Sequence, residues 1–437
     1  MSKFTMRTAL PAALACLVVG LMTGCAIRGS TGPTISNVTA PASLGTQPDI
    51  SQSGGGGAWK AVADTLPGAS QLFGITAGPD GNVWFADAYR SAIGRIDMSG
   101  KVTEFTTPTA SAFPYAITVG PDGNLWFTET GIHSIGRITT AGVIKEFPVT
   151  VAGVSYHPGN GIVAGPDHNL WFTLGGVASI MRSSTSGGMR KFDNPNNCIG
   201  NRITVGSDGD LWFSESCMSI DELTPAGMWT HFPLPNSEQA GDIVSASDGA
   251  LYFSEAGDHN IGKITPPGVI TLLTAPYYVF PSSGLLAVGN QVWFNVEGSN
   301  PINQIGRLNL PSDTFGSALS PAPAPLRNCC TTLFANGPDG NVWFTVTTPN
   351  VGIYITQAMK LVPLSATISV GAQQTITVTE KSYTGSWTAS TSKPAVATVM
   401  QGGSSDQFVV TGNAAGSCKI TIKDSMGNSA PASITVM

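Results

Sequence analysis

The chain has 437 residues, of which only 11% are charged, and it carries a formal net charge of −6 with 52 glycines and 30 prolines. The acidic balance and the lack of a basic run in the sequence argue against a nucleic-acid partner. After residue 22 no apolar run in the sequence is long enough to cross a bilayer.

The first 24 residues predict an export signal. Lys3 and Arg7 precede a short apolar stretch at residues 9–22. The stretch ends in Leu-Met-Thr-Gly before Cys25, which resembles a bacterial lipobox with Cys25 as the lipid acceptor. A plain secretory signal is the alternative. The resemblance, with alanine after the cysteine, implies an outer-membrane or cell-surface lipoprotein; a periplasmic or secreted protein is the other possibility. Residues 25–57, rich in Gly, Ser, Thr and Pro, predict a flexible tether.

Residues 58–358 contain a repeat that is marked by an aromatic pair. The pairs recur at steps of roughly 40 to 50 residues, within the range of a four-stranded propeller blade. Seven repeats predict a seven-bladed β-propeller with a central channel. The pairs are Trp84-Phe85, Trp126-Phe127, Trp171-Phe172, Trp212-Phe213, Tyr252-Phe253, Trp293-Phe294 and Trp343-Phe344.

The repeat at residues 73–105 shows the unit most clearly. Four strand-like runs are separated by turn signals, of which the Pro-Asp-Gly at residues 79–81 is the strongest. We expect the aromatic pairs to pack between blades rather than to hold ligand. The last repeat has no fourth strand after it, so residues 58–65 are predicted to complete that blade and close the ring.

From residue 359 the period stops and short strand-like runs follow at the spacing of a β-sandwich. The run Ser-Lys-Pro-Ala-Val-Ala-Thr-Val at residues 392–399, with Trp387 before it and Gly-Ser-Cys-Lys-Ile-Thr at 416–421 after it, resembles a bacterial Ig-like domain of group 2. The resemblance implies an Ig-like sandwich at residues 359–437, a spacer or adhesive module. The predicted fold class is therefore all-β: a propeller followed by an Ig-like sandwich.

The repeated Gly-Pro-Asp-Gly-Asn-[Val/Leu]-Trp-Phe, followed by Ile-Gly-Arg-Ile, resembles the virginiamycin B lyase (streptogramin lyase) family over residues 58–356. The resemblance implies a seven-bladed propeller and a lyase that opens a cyclic depsipeptide antibiotic by elimination at its ester, with no water consumed. It also implies Mg²⁺ held by carboxylates and a proton-abstracting histidine in the late blades.

The late blades of this chain depart from that pattern. The sixth repeat reads Trp-Phe-Asn-Val-Glu-Gly-Ser-Asn at residues 293–300, without a histidine, and Val296 and Val346 stand where the acid is expected. No residue of this chain can therefore be assigned as the family's catalytic base, and enzyme activity is left open. The first hypothesis is a lipid-anchored envelope propeller that binds a ligand at the channel mouth. The alternative is a Mg²⁺-dependent carbon–oxygen lyase for a cyclic or ester-containing substrate.

The expected ligand is a small molecule, peptide or glycan, or else an envelope protein. The chain is expected to be a monomer that meets the membrane only through its lipid anchor, with Mg²⁺ as the one cofactor to consider.

The start of the innermost strands suggests where a ligand would bind. Arg202 and Asp242 replace the small residues found there in other blades, and nearby loops carry tyrosines. Aromatic side chains around a charged pair predict a ligand pocket. A structural Arg202–Asp242 ion pair that plugs the channel is the alternative. The ligand-binding candidates are Tyr115, Tyr156, Arg202, Asp242, Tyr277 and Tyr278.

Three histidines belong to loops expected on the face of the channel mouth. His133, His157 and His259 are the catalytic candidates, because a histidine titrates near neutrality and suits proton abstraction. A solvated surface histidine is the alternative for each of them.

Charged residues of the second and third strands lie eight apart in three blades, which predicts cross-strand ion pairs. The pairs are Asp87–Arg95, Glu129–Arg137 and Glu255–Lys263. The fourth blade instead clusters Glu215, Asp221 and Glu222, and the third leaves Arg182 without an acid. Two interpretations stay open: Arg182 serves the acids of the next blade, or Glu215 and Glu222 hold a divalent cation.

The cysteines give one favoured pairing, a disulfide between Cys198 and Cys217 in loops of the fourth blade. Cys329 and Cys330 could form a vicinal disulfide or stay as two thiols. Cys418 is expected to be a small buried residue, and no zinc-type spacing is present in the sequence.

Overall fold

The computed structural model describes residues 58–61, 70–236, 238–255, 260–277, 279, 284–297, 303–316, 331–346, 350–355, 360–363, 365–379, 386–424 and 429–437. Every strand named below lies in these ranges, and the all-β prediction is confirmed. The described part of the chain contains no helix with the length and apolarity that crossing a bilayer requires.

Blades 1 to 4 are four-stranded antiparallel sheets in chain order. After β1 (Ala58–Ala61), their strands are β2 (Leu72–Ala77), β3 (Val83–Asp87), β4 (Ala92–Ile96) and β5 (Val102–Thr106); β6 (Pro114–Val119), β7 (Leu125–Glu129), β8 (Ser134–Ile138) and β9 (Ile144–Pro148); β12 (Pro158–Ala164), β13 (Leu170–Leu174), β14 (Ser179–Ser183) and β15 (Met189–Asp193); and β16 (Gly200–Val205), β17 (Leu211–Glu215), β18 (Ser219–Leu223) and β19 (Trp229–Pro233). A two-stranded hairpin, β10 (Thr150–Val151) and β11 (Val154–Ser155), lies between blades 2 and 3 in sequence.

Blades 5 to 7 continue the same pattern. Their strands are β20 (Ala240–Ser245), β21 (Leu251–Glu255), β22 (Asn260–Thr265) and β23 (Val269–Thr274); β24 (Leu285–Val288), β25 (Gln291–Glu297), β26 (Asn303–Asn309) and β27 (Thr314–Phe315); and β28 (Thr331–Asn336), β29 (Val342–Val346) and β30 (Asn350–Ile355). β1 pairs antiparallel with β30, Ala58 opposite Ile355, and so supplies the fourth strand of blade 7. The predicted closure of the ring is confirmed: β1 covers the edge of β30 and gives blade 7 the same four strands as the other blades.

The aromatic pairs form the contacts between blades, as the sequence predicts. In each interblade cluster the first aromatic residue of one blade packs with the phenylalanine of the next, and all of these rings are almost fully buried. The packed pairs are Trp84 with Phe127, Trp126 with Phe172, Trp171 with Phe213, Trp212 with Phe253, Tyr252 with Phe294, Trp293 with Phe344 and, across the closure, Trp343 with Phe85. The repeat thus places one apolar cluster between each pair of neighbouring blades.

The turn aspartates accept hydrogen bonds from the polar atoms of these buried rings. In blade 2 the Asp122 carboxylate accepts a hydrogen bond from Trp126 Nε1 at 2.9 Å, and Arg137 lies over the Trp126 ring. Five blades share this indole–aspartate bond, and in blade 5 the Tyr252 hydroxyl donates to Asp248 instead. A buried indole N–H without a partner would be costly, so the turn and the ring are one structural unit.

The predicted cross-strand ion pairs are wrong because of the hairpin register. The turn after β3 places Asp87 opposite Ala92, and Arg95 opposite Trp84. The cations therefore stack on the side chains of the aromatic pairs. They point toward the turn aspartates and away from the acids at the end of the second strand. There Arg137 pairs with Asp122 at 3.5 Å and Arg182 with Asp167 at 3.3 Å. Arg182 is thus matched within its own blade and does not serve the acids of blade 4.

Residues 360–437 form two further four-stranded sheets. Their strands are β31 (Lys360–Val362), β32 (Ser365–Ile368), β33 (Gln373–Thr379), β34 (Trp387–Thr391), β35 (Ala397–Gln401), β36 (Gln407–Gly412), β37 (Gly416–Asp424) and β38 (Ser429–Val436). The orders are β31-β33-β36-β35 and β32-β38-β37-β34, and one apolar cluster that includes buried Cys418 joins both sheets. This is a sandwich; its Ig-like identity and the domain boundaries stay predictions.

A disulfide joins Cys198 and Cys217, the pair that the sequence favours. It links the loop before β16 to the turn after β17, so it ties two loops of blade 4 on one face. Cys25, Cys329 and Cys330 lie outside the described residues.

Candidate functional site

A cavity of about 130 Å³ lies on the axis of the propeller, because the innermost strands of all seven blades line it. Its walls combine apolar side chains with polar groups, and its charged lining residues are Arg202 and Asp242. The lining residues are Gly74, Ile75, Ala116, Ile117, Asn160, Gly161, Ile162, Arg202, Ile203, Asp242, Leu285, Leu333 and Phe334. We call this space the channel cavity.

The innermost strands bulge where they pass the channel cavity. In six blades the register against the second strand shifts beside the start of the strand, for example between Leu72 and Ile75 and between Gly200 and Ile203. A bulge turns an additional residue out of the ladder and redirects its side chain. In blade 4 the redirected stretch carries Arg202, and in blade 5 it carries Asp242.

Glycines at this level let neighbouring strands approach each other. A Cβ on Gly74 would lie 2.5 Å from the Tyr115 carbonyl oxygen, and one on Gly161 would lie 3.0 Å from Ile203. Close packing therefore favours glycine at this position in blades 1 and 3. Blades 4 and 5 carry charged side chains at the same position, Arg202 and Asp242.

Hydroxyl side chains fasten the bulges, a feature that the sequence analysis missed. The residue two positions after the tryptophan accepts the N–H of its own blade's bulge: Thr128 from Ala116, Thr173 from Gly161, Ser214 from Arg202 and Ser254 from Asp242. Several of these hydroxyls also donate to the bulge carbonyl of the next blade, as Ser214 does to Gly241 at 2.6 Å. The recurrence of Ser or Thr after Trp-Phe or Tyr-Phe was the available signal.

Replacing Ser214 by alanine is expected to lower the free energy of unfolding by about 1–3 kcal/mol. The substitution leaves the Arg202 N–H and the Gly241 carbonyl without this buried hydroxyl. Ser214→Thr should restore most of the loss, since threonine occupies the same position in three other blades. Denaturant unfolding measures both variants; an alanine variant within about 0.5 kcal/mol of wild type would contradict the role of the hydroxyl.

Arg202 is the most unusual side chain of the channel cavity, since only 8% of its surface is exposed. Its Nη1 donates to the Asn160 carbonyl at 2.7 Å and its Nη2 to the Tyr115 hydroxyl at 3.5 Å. The guanidinium lies over the Tyr115 ring, which in turn stacks on Phe73 with centroids 4.3 Å apart. The cation is thus held by blades 2 and 3 although it belongs to blade 4.

Asp242 is held by backbone groups and not by Arg202. Its Oδ2 accepts the N–H of Leu285 at 2.7 Å and its Oδ1 that of Ile243 at 2.9 Å. Among the described residues, Arg202 and Asp242 form no ion pair within 4.0 Å. Burial raises the pKa of Asp242, while the nearby charge of Arg202 and the two N–H groups oppose that rise. The alternative of a direct Arg202–Asp242 ion pair that plugs the channel is therefore wrong.

The predicted tyrosines divide between the channel cavity and the blades. Tyr115 contacts Arg202 at the cavity. Tyr156 lies in the hairpin between blades 2 and 3, with Lys191 Nζ 5.4 Å from its ring, and Tyr277 packs on Phe294 and Phe315 while its hydroxyl donates to the Gly316 carbonyl. Neither of these two lines the cavity. Tyr278 lies outside the described residues.

Two of the histidine candidates meet. His133 and His157, from the loops of blades 2 and 3, have ring centroids 3.8 Å apart and are both exposed. Although the His157 side chain is exposed overall, its packing against the neighbouring loop partly desolvates the ring and lowers the pKa of His157, and a charge on His133 lowers that pKa further. Neither histidine lines the channel cavity, and His259 lies outside the described residues.

The two predicted metal ligands of blade 4 do not converge. Glu215 clusters with Asp221 and His231, whereas Glu222 clusters with Asp208 and Asp210. Adjacent residues of a strand point to opposite faces, so Asp221 and Glu222 cannot serve one ion. In the first cluster the Asn194 amide donates to both carboxylates, and Asp221 bonds His231 Nδ1 at 2.6 Å. Burial, then the charge of Asp221, raises the pKa of Glu215 to about 9.

The comparisons with known proteins agree on one family. The sequence profile of the virginiamycin B lyase family matches residues 50–215, 151–319 and 197–427. A solved streptogramin B lyase is 30% identical, covering 68% of this chain and 97% of its own, with a TM-score of 0.60. No curated protein matches the chain in sequence.

Two other solved structures are similar. A catalytically inactive histidine-to-alanine variant of virginiamycin B lyase from Staphylococcus aureus, solved with quinupristin, is 29% identical over 68% of this chain and 99% of its own, with a TM-score of 0.60. An extracellular domain of a one-component system from B. thetaiotaomicron is 13% identical over 84% of this chain and 57% of its own, with a TM-score of 0.52. The last likeness concerns the fold alone.

Proposed function

Since the chain belongs to the virginiamycin B lyase family, we propose that it uses the channel mouth of this propeller to bind a small ligand without cleaving it. The observation that carries the proposal is the buried Arg202 guanidinium in the channel cavity. Burying a cation is costly unless its charge is matched, and no carboxylate among the described residues lies within ion-pair distance of it. A ligand that supplies the matching group would explain why the charge is kept there.

The family's lyase reaction is the second candidate, and the late blades argue against it. The S. aureus enzyme is inactive when a histidine is replaced by alanine, and β25 of blade 6 reads Gln-Val-Trp-Phe-Asn-Val-Glu without one. A Mg²⁺ ion would need clustered carboxylates there. In blades 6 and 7 the carboxylates with described side chains are Asp313, bonded by Tyr252 and Lys263, and Asp339, bonded by Trp343 and Asn341. These two carboxylates are far from clustered and already have protein partners, so they do not fit a Mg²⁺ site.

The location and partners follow the sequence. We propose an exported protein with Cys25 as the lipid-anchored residue, at the outer membrane or cell surface, with a periplasmic or secreted protein as the alternative. The propeller would act as a monomer, and the C-terminal sandwich would serve as a spacer or adhesive module. A small molecule, peptide or glycan fits the cavity better than a folded partner, because the lining charges are buried in a space of about 130 Å³.

The binding proposal is tested by soaking crystals of the protein and of Ala116→Leu with a small-molecule fragment library. Ala116 lines the channel cavity, so leucine should fill part of it. Fragments are expected in the cavity of wild type and not in the variant, whose melting temperature serves as the folding control. Fragments bound only at other surfaces, with none in the wild-type cavity, would overturn the proposal.

Incubation with quinupristin and Mg²⁺ is expected to leave the antibiotic cyclic. Elimination at an ester conserves mass, so chromatographic retention must be followed as well as mass. The S. aureus lyase is the positive control. Opening of the ring by this protein, with loss of that activity in a His133→Ala, His157→Ala or His259→Ala variant, would favour the lyase instead.

A further inference from the structure

Arg202 and Asp242 present opposite charges to one small cavity without neutralising each other. They occupy matching positions on the neighbouring strands β16 and β20, and both line the channel cavity. The charge of Arg202 acts on Asp242. Among the described residues, however, the nitrogens of Arg202 and the carboxylate oxygens of Asp242 form no ion pair within 4.0 Å. Arg202 is instead held by groups of blades 2 and 3, and Asp242 by the N–H groups of Leu285 in blade 6 and of Ile243 in its own strand. Such an arrangement leaves a gap between a positive and a negative group.

The guanidinium keeps hydrogen-bonding capacity. An arginine offers five N–H donors in a planar fork, and the described residues engage Nη1 through the Asn160 carbonyl and Nη2 through the Tyr115 hydroxyl. The stack of Phe73, Tyr115 and Arg202 holds the plane of the fork. A fixed fork with spare donors suits a carboxylate, which it can bind with two parallel hydrogen bonds.

The carboxylate of Asp242 likewise keeps capacity. An ionised carboxylate accepts about four hydrogen bonds, and the Leu285 and Ile243 N–H groups use one at each oxygen. These two bonds fix its orientation toward the cavity that it lines. A ligand ammonium could therefore bind without displacing a protein group.

We propose that the channel cavity binds the zwitterionic end of an amino acid or a similar molecule, its carboxylate at Arg202 and its ammonium at Asp242. The proposal rests on the proposed function and names the class of ligand for that site. The volume of about 130 Å³ is close to that of a cavity known to hold benzene, roughly 150 Å³. It therefore admits a small amino acid or one end of a longer ligand. Ile75, Ile117 and Leu285 offer apolar wall to a short side chain.

A set of matched probes tests the proposal by NMR titration of the full protein. L-alanine carries both charges, propionate lacks the ammonium, ethylamine lacks the carboxylate, and propionamide lacks both charges. L-alanine is expected to bind about tenfold or more tightly than each of the other three. Arg202→Met and Asp242→Asn should each weaken L-alanine binding by about tenfold or more, and Arg202→Lys should weaken it less than Arg202→Met does.

The controls separate charge from folding. Arg90→Met removes a cation paired with Glu104, outside the channel cavity, and should leave L-alanine binding unchanged. Melting temperatures report whether each variant is folded. If propionate or propionamide bound as tightly as L-alanine, the proposal of a zwitterionic ligand would be wrong, but the channel cavity would still be a binding site. No response to L-alanine in wild type also overturns it; failure of the fragment soak as well would remove the proposed function.

Discussion

The free energy of unfolding of the wild-type protein is expected to fall as the pH rises from about 5 to about 9, because Glu129 loses its proton. The Glu129→Gln variant should not show this fall. Glu129 is fully buried, and neither carboxylate oxygen has a hydrogen-bond donor in the structure. Burial, and then the neighbouring charge of Glu146, raises the pKa of Glu129 to about 8. A protonated Glu129 can donate to Glu146, and the glutamine amide can do the same at every pH.

The sign follows from proton binding. The folded protein holds the Glu129 proton more tightly than the unfolded chain does, so this contribution is complete below the unfolded pKa of 4.5. It is lost as the pH rises through the folded value of about 8. The loss is up to roughly 3–5 kcal/mol. Denaturant unfolding of wild type and Glu129→Gln across this range measures it. Glu215 titrates in the same direction in both proteins and cancels in the comparison.

Blade 5 offers the matched control for this experiment. Glu255 occupies the same position, but its Oε2 accepts hydrogen bonds from Asn236 and Asn260. Glu255→Gln should therefore lower the free energy of unfolding at neutral pH, because it weakens the hydrogen bonds that Asn236 and Asn260 donate to this carboxylate. Parallel pH profiles for wild type and Glu129→Gln would show that Glu129 is ionised at neutral pH, contrary to the prediction.

The sequence predicts the ring well because the ring depends on local signals. The aromatic pairs recur at steps of roughly 40 to 50 residues, most of them after an aspartate turn, and the missing last strand indicates the closure by β1. The ion pairs fail because they depend on hairpin register. Four turn residues between Asp87 and Ala92, and not the spacing of eight, decide which side chains face each other.

The candidate site is predicted in part for a similar reason. Arg202 and Asp242 stand out since they replace small residues at a repeated position, and the structure brings both to the channel cavity. Their lack of direct contact depends on bulges and on partners in other blades, such as Asn160 and Leu285. Tyr156 and Tyr277 come from irregular loops whose paths have no periodic signal, so their positions could not be read from the sequence.

Replacing Asp122 by alanine is also expected to have a large effect: it should lower the free energy of unfolding by about 2–4 kcal/mol. The carboxylate accepts hydrogen bonds from Trp126 Nε1 at 2.9 Å and from Asn124, and it pairs with Arg137. Burial disfavours its charge, but these bonds and the Arg137 cation lower the pKa of Asp122 overall. Asp122→Asn keeps an acceptor for the indole and should cost only about 1 kcal/mol.

Blade 1 separates the indole bond from the ion pair. Asp80 accepts the Trp84 indole N–H at 3.0 Å, but Arg95 donates to the Thr140 carbonyl instead of pairing with Asp80. Asp80→Ala should therefore cost nearly as much as Asp122→Ala, with a difference of about 0–1 kcal/mol for an exposed pair. A double-mutant cycle with Trp126→Phe, measured by denaturant unfolding, should give a coupling of about 1 kcal/mol or more. A coupling near zero would mean that the turn aspartate stabilises the turn alone, and that the aromatic core of the ring does not depend on it.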